Sequence, residues 1–180
     1  RRTTEVAAVI MTKKRIALIS TGGTIEKTYD ELSGVLHNQV SVLDVMLASL
    51  ELRGVLVSRV QLLNKDSLDM TDEDHALVAT TAESMARATD GVVVVHGTDR
   101  LQHSGERIVE LFGTPRQPIV FTGAMRPYEL RNTDALQNLT EALLAVQILP
   151  PGVYVAMHNQ VLAFPGVVKD RLQGTFVKAT

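Results

Sequence analysis

The chain of 180 residues has no cysteine and no tryptophan, and its aromatics are three tyrosines and four phenylalanines. Without cysteine, disulfides, thiolate nucleophiles and sulfur-ligated zinc are excluded. No apolar run approaches the roughly 20 residues that a helix needs to cross a bilayer. An excess of either charge is also missing, because 18 lysines and arginines face 20 acidic residues. With no basic cluster among aromatics, we expect neither nucleic acid nor a membrane as partner.

The first ten residues differ from the rest of the chain. Their short apolar run imitates a signal peptide, but Lys13, Lys14 and Arg15 come soon after it, and Met11 is a natural start. We interpret residues 1–10 as an extension and residues 11–180 as one domain of ordinary globular composition. We expect this domain in the cytoplasm.

Apolar runs alternate with helical patterns along the chain. This order predicts an α/β fold, in which a doubly wound, mostly parallel sheet is flanked by helices in the three layers of Rossmann- and flavodoxin-like folds. Several runs are continuous, as in parallel strands covered on both faces. Strands are predicted over 15–20, 55–63, 91–96, 118–122 and 152–157, with a hairpin partner at 160–164, and helices over 42–53, 72–88, 101–112 and 134–148.

Capping residues mark the predicted starts of three helices. Ser41 with Asp44, and Thr71 with Asp74, stand in the relation of an N-cap to the third helical residue. Thr133 is the predicted cap of the last helix.

Two loops rich in small residues and hydroxyls follow predicted strands. Thr-Gly-Gly-Thr-Ile fills residues 21–25, and His-Gly-Thr-Asp fills residues 96–99. The carboxyl ends of parallel strands are where open α/β sheets bind small ligands, so we expect one composite site. Taken alone, the first loop is better explained as an ordinary turn. A phosphate site is disfavoured, because the glycines do not follow Gly-x-Gly-x-x-Gly and no Lys-Ser/Thr pair comes after them.

The side chains of these loops suggest hydroxyl chemistry. Thr24 and Thr98 carry hydroxyls that become nucleophilic once a neighbouring base takes the proton. Asp99 either holds an ammonium group or is simply an acid near a helix start. We interpret His96 as a histidine whose hydrogen bonds are satisfied at a strand end. No metal site is expected, because the other histidines are scattered along the chain.

Two further polar segments follow the next strands in the same way. Residues 66–70 read Asp-Ser-Leu-Asp-Met, and residues 122–127 read Thr-Gly-Ala-Met-Arg-Pro. Four ordinary turns would not explain why hydroxyls and carboxylates concentrate there. Arg126 is expected to pair with Asp134 rather than with a substrate.

Together, these four ordered motifs resemble bacterial L-asparaginases of the threonine type, a family of asparagine and glutamine amidohydrolases. The resemblance covers about residues 14–178. It implies hydrolysis of L-asparagine to L-aspartate and ammonia through an acyl-threonine intermediate, with low glutaminase activity and with neither metal nor cofactor. It also makes residues 11–180 a catalytic domain of the N-terminal asparaginase type.

The resemblance assigns catalytic roles by position. Thr24 becomes the favoured nucleophile and Tyr29 the residue that closes over it, although either threonine is a candidate for the first attack. Thr98 and Asp99 join Lys169, which falls at the place of the family's lysine, in a second catalytic group. From the residues alone, Lys169 would be an exposed surface lysine.

The resemblance also assigns substrate binding. Ser67 and Asp99 correspond to residues that grip the α-carboxylate and α-amino groups. Backbone N–H groups near Thr98 and Ala124 are candidates for the oxyanion site, beside Gly23.

The chain departs from the family in length and at one side chain. Family members are nearly twice as long, so we expect a short form without the second domain, compensated by a homo-oligomer, either a dimer or a tetramer. Leu68 stands where many relatives have a glutamine. Two other functions stay open: an asparagine-sensing binding module and an amidotransferase-type subunit.

Overall fold

The structure, a computed structural model, describes residues 12–30, 35–38 and 42–179. The predicted extension and Met11 lie outside these residues. In chain order the elements are β1 (Lys14–Ser20), β2 (Lys27–Asp30), β3 (Val35–Asn38), α1 (Leu43–Ala48), β4 (Val55–Gln61), α2 (Asp72–Ala88), β5 (Gly91–Val95), α3 (Leu101–Phe112), β6 (Ile119–Thr122), α4 (Ala135–Ile148), β7 (Val153–Met157), β8 (Gln160–Ala163), β9 (Val167–Asp170) and β10 (Thr175–Lys178). Short 3₁₀ turns cover Thr24–Glu26 and Ser67–Asp69.

The main sheet has six strands in the order β4-β1-β5-β6-β7-β8. The first five run parallel, and β8 pairs antiparallel to β7 as the predicted hairpin partner. Two small antiparallel sheets, β2–β3 and β9–β10, lie outside it. The predicted α/β fold with a mostly parallel sheet is confirmed. Of the helices described, none is long and apolar enough to cross a membrane.

Alternating side chains of each central strand enter two different cores. In β1, Ala17 and Ile19 pack with buried residues of α2 and α3, whereas Ile16 and Leu18 pack with those of α1 and α4. Both faces of the sheet are therefore covered, which explains why the strands are continuous apolar runs.

One of the three predicted caps is confirmed in the described residues. At α2, the Thr71 hydroxyl accepts from the Asp74 N–H at 3.2 Å, and the Asp74 carboxylate accepts from the Thr71 N–H at 3.0 Å, completing a capping box. At α4 the N-cap residue is Asp134 rather than the predicted Thr133, although Thr133 Oγ1 accepts from the N–H of Ala135 at 3.0 Å. The predicted cap Ser41 lies outside the described residues.

Helix α1 is shorter than predicted, ending at Ala48 rather than residue 53. Beyond Ser49 the chain turns so that Leu50 and Leu52 pack against the core before β4 begins. Burial of these two leucines thus overrides the helical pattern.

The strand order reverses at β1, which lies between β4 and β5. In doubly wound sheets the loops that leave such neighbouring strands diverge and open a crevice at their carboxyl ends. The loops 21–24 and 96–99 leave β1 and β5 at this switch point.

Candidate active site

Two glycines allow the loops after β1 and β5 to touch at the switch point. Gly23 has a φ of 90°, and a Cβ there would lie 2.6 Å from Gly97 Cα. A Cβ on Gly97 would lie 2.7 Å from the Oγ of Ser67, in the loop after β4. Larger residues cannot fit these contacts without displacing backbone. Three of the four loops expected to form one site therefore meet at Gly23, Gly97 and Ser67.

A lysine, a threonine and an aspartate form the polar centre of the site. Lys169 Nζ lies 2.9 Å from Thr98 Oγ1 and 2.9 Å from Asp99 Oδ1. The amine donates to both oxygens, while the Thr98 hydroxyl lies 3.6 Å from Met125 Sδ, a weak acceptor. The lysine side chain is only 13% exposed, so the alternative of a surface lysine is wrong.

A second cation reaches the same aspartate. Arg171 Nη2 lies 3.2 Å from Asp99 Oδ1, the oxygen that also pairs with Lys169. Arg171 follows Lys169 by two residues and its side chain is exposed. The negative charge of Asp99 is thus shared between two residues of the β9 region.

The Ser67 hydroxyl is buried and held by backbone. Its Oγ accepts from the N–H of Arg100 at 3.2 Å. Next to it, Asp66 accepts from Lys27 Nζ at 2.8 Å and from the Leu68 N–H at 3.1 Å. The Lys27 ammonium, and then the Leu68 N–H, lower the pKa of the Asp66 carboxyl. This ionised carboxylate fixes the turn that presents Ser67.

The candidate nucleophile Thr24 lies apart from any amine contact in the described residues. It is half-buried and begins the 3₁₀ turn that follows Gly23. Tyr29 lies on β2 with 57% of its surface exposed, and its N–H donates to Glu129 Oε2 at 2.7 Å. Within the described part of the chain, no hydrogen bond joins Tyr29 to either candidate threonine. Closure of Tyr29 over Thr24 stays a prediction.

The loop after β6 packs on the Thr98 loop. A Cβ on Gly123 would meet the carbonyl oxygen of His96 and lie 3.2 Å from Thr98 Cγ2. The next residue, Ala124, is buried. The fourth segment therefore joins the other three, with the candidate oxyanion donor Ala124 beside Thr98.

The buried carboxylate of Asp134 organises this loop. It accepts from the N–H groups of Met125 and Arg126, each at 3.0 Å, and from His158 Nε2 at 2.7 Å. Burial acts to raise the pKa of Asp134, but the Met125 N–H, His158 and the Arg126 N–H outweigh it and lower that pKa. The expected pairing of Arg126 with Asp134 is wrong in one respect, because the arginine contributes its backbone N–H while its residue is exposed.

A buried chain of hydrogen bonds supports the Gly97 carbonyl from behind. His96 Nδ1 lies 2.8 Å from Gly97 O, His96 Nε2 lies 2.8 Å from Ser104 Oγ, and His75 Nδ1 lies 2.7 Å from the same hydroxyl. A carbonyl only accepts, so His96 Nδ1 carries the proton and Ser104 donates to Nε2. His75 Nδ1 must then donate to Ser104. The interpretation of His96 as a satisfied strand-end histidine is confirmed.

Both of these histidines are held neutral. Burial lowers the pKa of His96 from 6.5 to about 4. Burial, followed by the nearby His103 and Arg100, lowers the pKa of His75. Three histidines that are scattered in the sequence stack in space, since the ring centroid of His75 lies 5.5 Å from that of His103 and 6.0 Å from that of His96.

Sequence reasoning missed one residue in the site and the hydrogen-bonded residues behind it. Neither Arg171 nor the support from His75 and Ser104 was expected. A signal existed for two of them, because His75 and Ser104 fall in the buried stripes of α2 and α3, which otherwise hold small or apolar side chains and Glu83. A polar residue in such a stripe indicates a buried hydrogen-bond partner.

The fold and the loops define a three-layer α/β domain with a threonine–lysine–aspartate site at its topological switch point. The family described as "Asparaginase, N-terminal" matches residues 15–174. The chain therefore belongs to the asparaginase family, over its N-terminal domain.

Curated relatives of two kinds match the chain. It is 37% identical over 145 residues to the D subunit of glutamyl-tRNA(Gln) amidotransferase from Haloquadratum walsbyi, covering 79% of this chain and 33% of the relative. It is 29% identical over 150 residues to the L-asparaginase of Thermococcus kodakarensis, covering 82% of this chain and 45% of the relative. The chain thus spans about a third of the length of the amidotransferase relatives.

Solved structures carry the same fold. The Thermococcus kodakarensis L-asparaginase superposes with a TM-score of 0.81 at 28% identity, covering 91% of this chain and 51% of that one. A probable cytoplasmic L-asparaginase of Campylobacter jejuni superposes with a TM-score of 0.77 at 31% identity, covering 92% and 53%.

Proposed function

We propose that this domain hydrolyses L-asparagine to L-aspartate and ammonia through an acyl-threonine intermediate. The observation that carries the proposal is the 2.9 Å contact of Lys169 Nζ with both Thr98 and Asp99. A hydroxyl or a water that attacks a carbonyl must give up a proton, and the paired Thr98 hydroxyl and Lys169 amine are the groups of this site that we propose relay it.

Acylation begins with Thr24. Its Oγ forms a bond to the side-chain amide carbon while the C=O electron pair moves onto oxygen, and the proton that Oγ loses is delivered to the amide nitrogen. Backbone N–H groups near Thr98 and Ala124 stabilise the oxyanion. The C=O bond then re-forms as the C–N bond breaks, and the nitrogen leaves as ammonia with that proton. Water attacks the resulting ester, and its C–O bond breaks to return the Thr24 hydroxyl and release aspartate.

Substrate binding changes the charges around the lysine. In the free site Asp99 pairs with Lys169 and Arg171. A substrate α-ammonium that joins Asp99 shares the carboxylate with these two cations. Because the Lys169 amine lies 2.9 Å from the Thr98 hydroxyl, we assign it as the acceptor of the proton from Thr98 or from the attacking water.

Affinity and selectivity depend on the groups that grip the substrate. Ser67 binds the α-carboxylate and Asp99 the α-amino group, whereas the exposed Leu68 offers no polar contact. Loss of one charge-assisted contact costs about 1.5–3 kcal/mol, or roughly ten- to hundredfold in affinity. We therefore expect weak to moderate affinity, with glutamine handled worse than asparagine. The homo-oligomer and the cytoplasmic location stay predictions.

A second candidate is an amidotransferase-type subunit that passes ammonia to a partner. It is favoured by the 37% identity to the D subunit of an amidotransferase. The third candidate, an asparagine sensor, would not require a lysine held against a hydroxyl.

Ammonia release by the purified chain, supplied with asparagine or glutamine, tests the proposal. Lys169→Met should lower turnover by about 10²–10⁴-fold, and Thr24→Ala should abolish it, whereas Lys65→Met, which changes a lysine outside the site, should not. Acid-quenched samples of the parent, mapped by peptide mass spectrometry, should carry the acyl group on Thr24 rather than Thr98.

Each alternative has its own outcome. Asparagine binding by calorimetry without turnover would identify a sensor. Ammonia release that appears only with a partner subunit would identify the amidotransferase. Equal catalytic efficiency on the two amides would refute the selectivity.

A further inference from the structure

Lys169 reaches the site from a small sheet that is separate from the main one. The β9–β10 hairpin pairs only with itself among the described strands. Its register places Phe176 opposite Lys169 and Thr175 opposite Asp170. Because no ladder of the main sheet fixes this hairpin, the position of the Lys169 amine depends on how side chains anchor β10.

One histidine contacts both this hairpin and the loop after β6. His158 Nε2 lies 2.7 Å from Asp134 Oδ2, and His158 Nδ1 lies 2.9 Å from Thr175 Oγ1. The ionised Asp134 only accepts, so Nε2 carries a proton. Nδ1 forms the second hydrogen bond of the ring, to the Thr175 hydroxyl. The same ring is thereby fixed at both nitrogens.

At the other end of these contacts, Asp134 holds the loop after β6, which contains the candidate oxyanion donor Ala124. Asp134 accepts from the N–H groups of Met125 and Arg126, directly after Ala124. Asn138 adds to the same network, because its Nδ2 donates to Asp134 Oδ2 and to Gly123 O, both at 2.9 Å. A displacement of Asp134 would therefore move the backbone beside Ala124.

His158 has a positive φ, which is uncommon for a residue with a side chain. His158 and Asn159 form the two-residue turn between β7 and β8, with φ of 54° and 61°. Hairpin turns with positive φ at both residues are best served by Asn-Gly, Asp-Gly or Gly-Gly. Histidine adopts positive φ more readily than most residues, but it is not among the residues that this turn prefers. What histidine adds is a ring with two nitrogens, and both are bonded.

We propose that the Asp134–His158–Thr175 bridge positions the candidate oxyanion loop and Lys169 relative to each other, with His158 as a positioning residue. This inference rests on the proposed hydrolysis. It concerns how the two halves of that site are held together, and not which groups react. Gln160 also anchors β10, because its Nε2 donates to Thr175 Oγ1 at 3.2 Å and to Phe176 O at 2.8 Å. The second of these bonds does not involve the bridge. Loss of the bridge should therefore misplace the amine without releasing the hairpin.

Kinetics with four variants test this bridge. His158→Asn suits the turn but cannot span both partners. Thr175→Val removes the hydroxyl that contacts both His158 and Gln160, and it leaves the bond from Gln160 to Phe176 O. Each should lower kcat for asparagine by about ten- to hundredfold with KM changed much less, because small misplacements of catalytic groups act on the reacting state. Thr175→Ser should recover most of kcat. Asn159→Gly, which keeps the neighbouring positive φ, should match the parent.

Non-additivity provides a second criterion. The double variant His158→Asn/Thr175→Val should be no slower than the slower single variant, because both changes break one bridge. Multiplied effects, a kcat within twofold of the parent, or an equal loss in Asn159→Gly would overturn the proposal. A loss of kcat could also come from unfolding alone. In that case the urea midpoint would fall, turnover per folded molecule would equal that of the parent, and the proposal would be overturned.

A readout without turnover separates this proposal from the activity itself. Acetylation of Lys169, followed by mass spectrometry with Lys65 as internal reference, reports how well the amine is held. Faster labelling in His158→Asn than in Asn159→Gly supports the bridge even if the parent releases no ammonia. Equal labelling rates refute the bridge even if the parent is active.

Discussion

Replacing His96 with glutamine removes a buried imidazole that titrates differently in the folded and unfolded chain. Burial lowers the pKa of His96 from 6.5 to about 4. Between these values the unfolded chain binds a proton at this residue and the folded protein does not. The free energy of unfolding therefore rises with pH across this window and is reduced as the pH falls through it.

The change in the free energy of unfolding follows from the difference between the pKa of His96 in the unfolded chain and in the folded protein. A change from 6.5 to about 4 is about 2.5 pH units, and each unit corresponds to 1.36 kcal/mol, so His96 contributes about 3 kcal/mol. That contribution is complete above the unfolded pKa and is lost near pH 4. The lowered pKa of His75 acts in the same direction, but this residue is present in both proteins and its contribution cancels in the difference.

Urea unfolding of the parent and of His96→Gln from about pH 7 to about pH 4 measures this difference. The gap in free energy of unfolding between the two proteins should shrink by about 3 kcal/mol as the pH falls. Val78→Ala removes buried apolar atoms and no titrating group, so its gap should not vary with pH. A gap for His96→Gln that stays constant or widens on acidification would refute the assignment of a neutral, fully bonded His96.

Two further predictions concern backbone contacts. Gly23→Ala should cost about 2–3 kcal/mol and most of the activity, because its Cβ would lie 2.6 Å from Gly97 Cα at a φ of 90°. Gly174→Ala, with φ 62° and open space around its Cβ, should cost only about 1 kcal/mol, and equal urea midpoints for the two would argue against the loop contact. Thr71→Ala should cost about 1 kcal/mol through the lost cap while ammonia release stays unchanged; Thr71→Ser is the control, and an activity loss would contradict a purely local cap.

The main sheet was predictable because its strands are defined by burial on both faces. The apolar run 92–95 matches the observed strand β5 (Gly91–Val95) closely, because every side chain of the run is buried in one of the two cores. The predicted strand 55–63 ends at Gln61, because the N–H groups of Leu62 and Leu63 turn to Ser20 O beyond the ladder. Strands β9 and β10 were missed, since four-residue segments that mix polar and apolar side chains show no local period.

The candidate site was predictable only in part from local pattern. Four polar loops at strand ends predicted a composite site, and the close contact of Gly23 with Gly97 agrees with that. Spacing could not connect Lys169 with Thr98, because 71 residues separate them and the β9–β10 hairpin that carries the lysine has no sequence signal. Only the family resemblance suggested that lysine. The sequence gives one local indication of the bridge through His158: a histidine stands where a hairpin turn favours asparagine or glycine.

The two halves of the site therefore differ in what holds them. The loops bearing Thr24, Ser67 and Thr98 leave strands of one parallel sheet, and glycine contacts lock them together before any substrate binds. Lys169 belongs to a separate hairpin, which packs Val167 and Phe176 into the core, and its amine is held by polar side chains. One such hydrogen bond contributes only about 0.5–1.5 kcal/mol to stability. Substitutions around the hairpin should therefore reduce turnover with little loss of stability, whereas substitutions at the loop glycines should reduce both together.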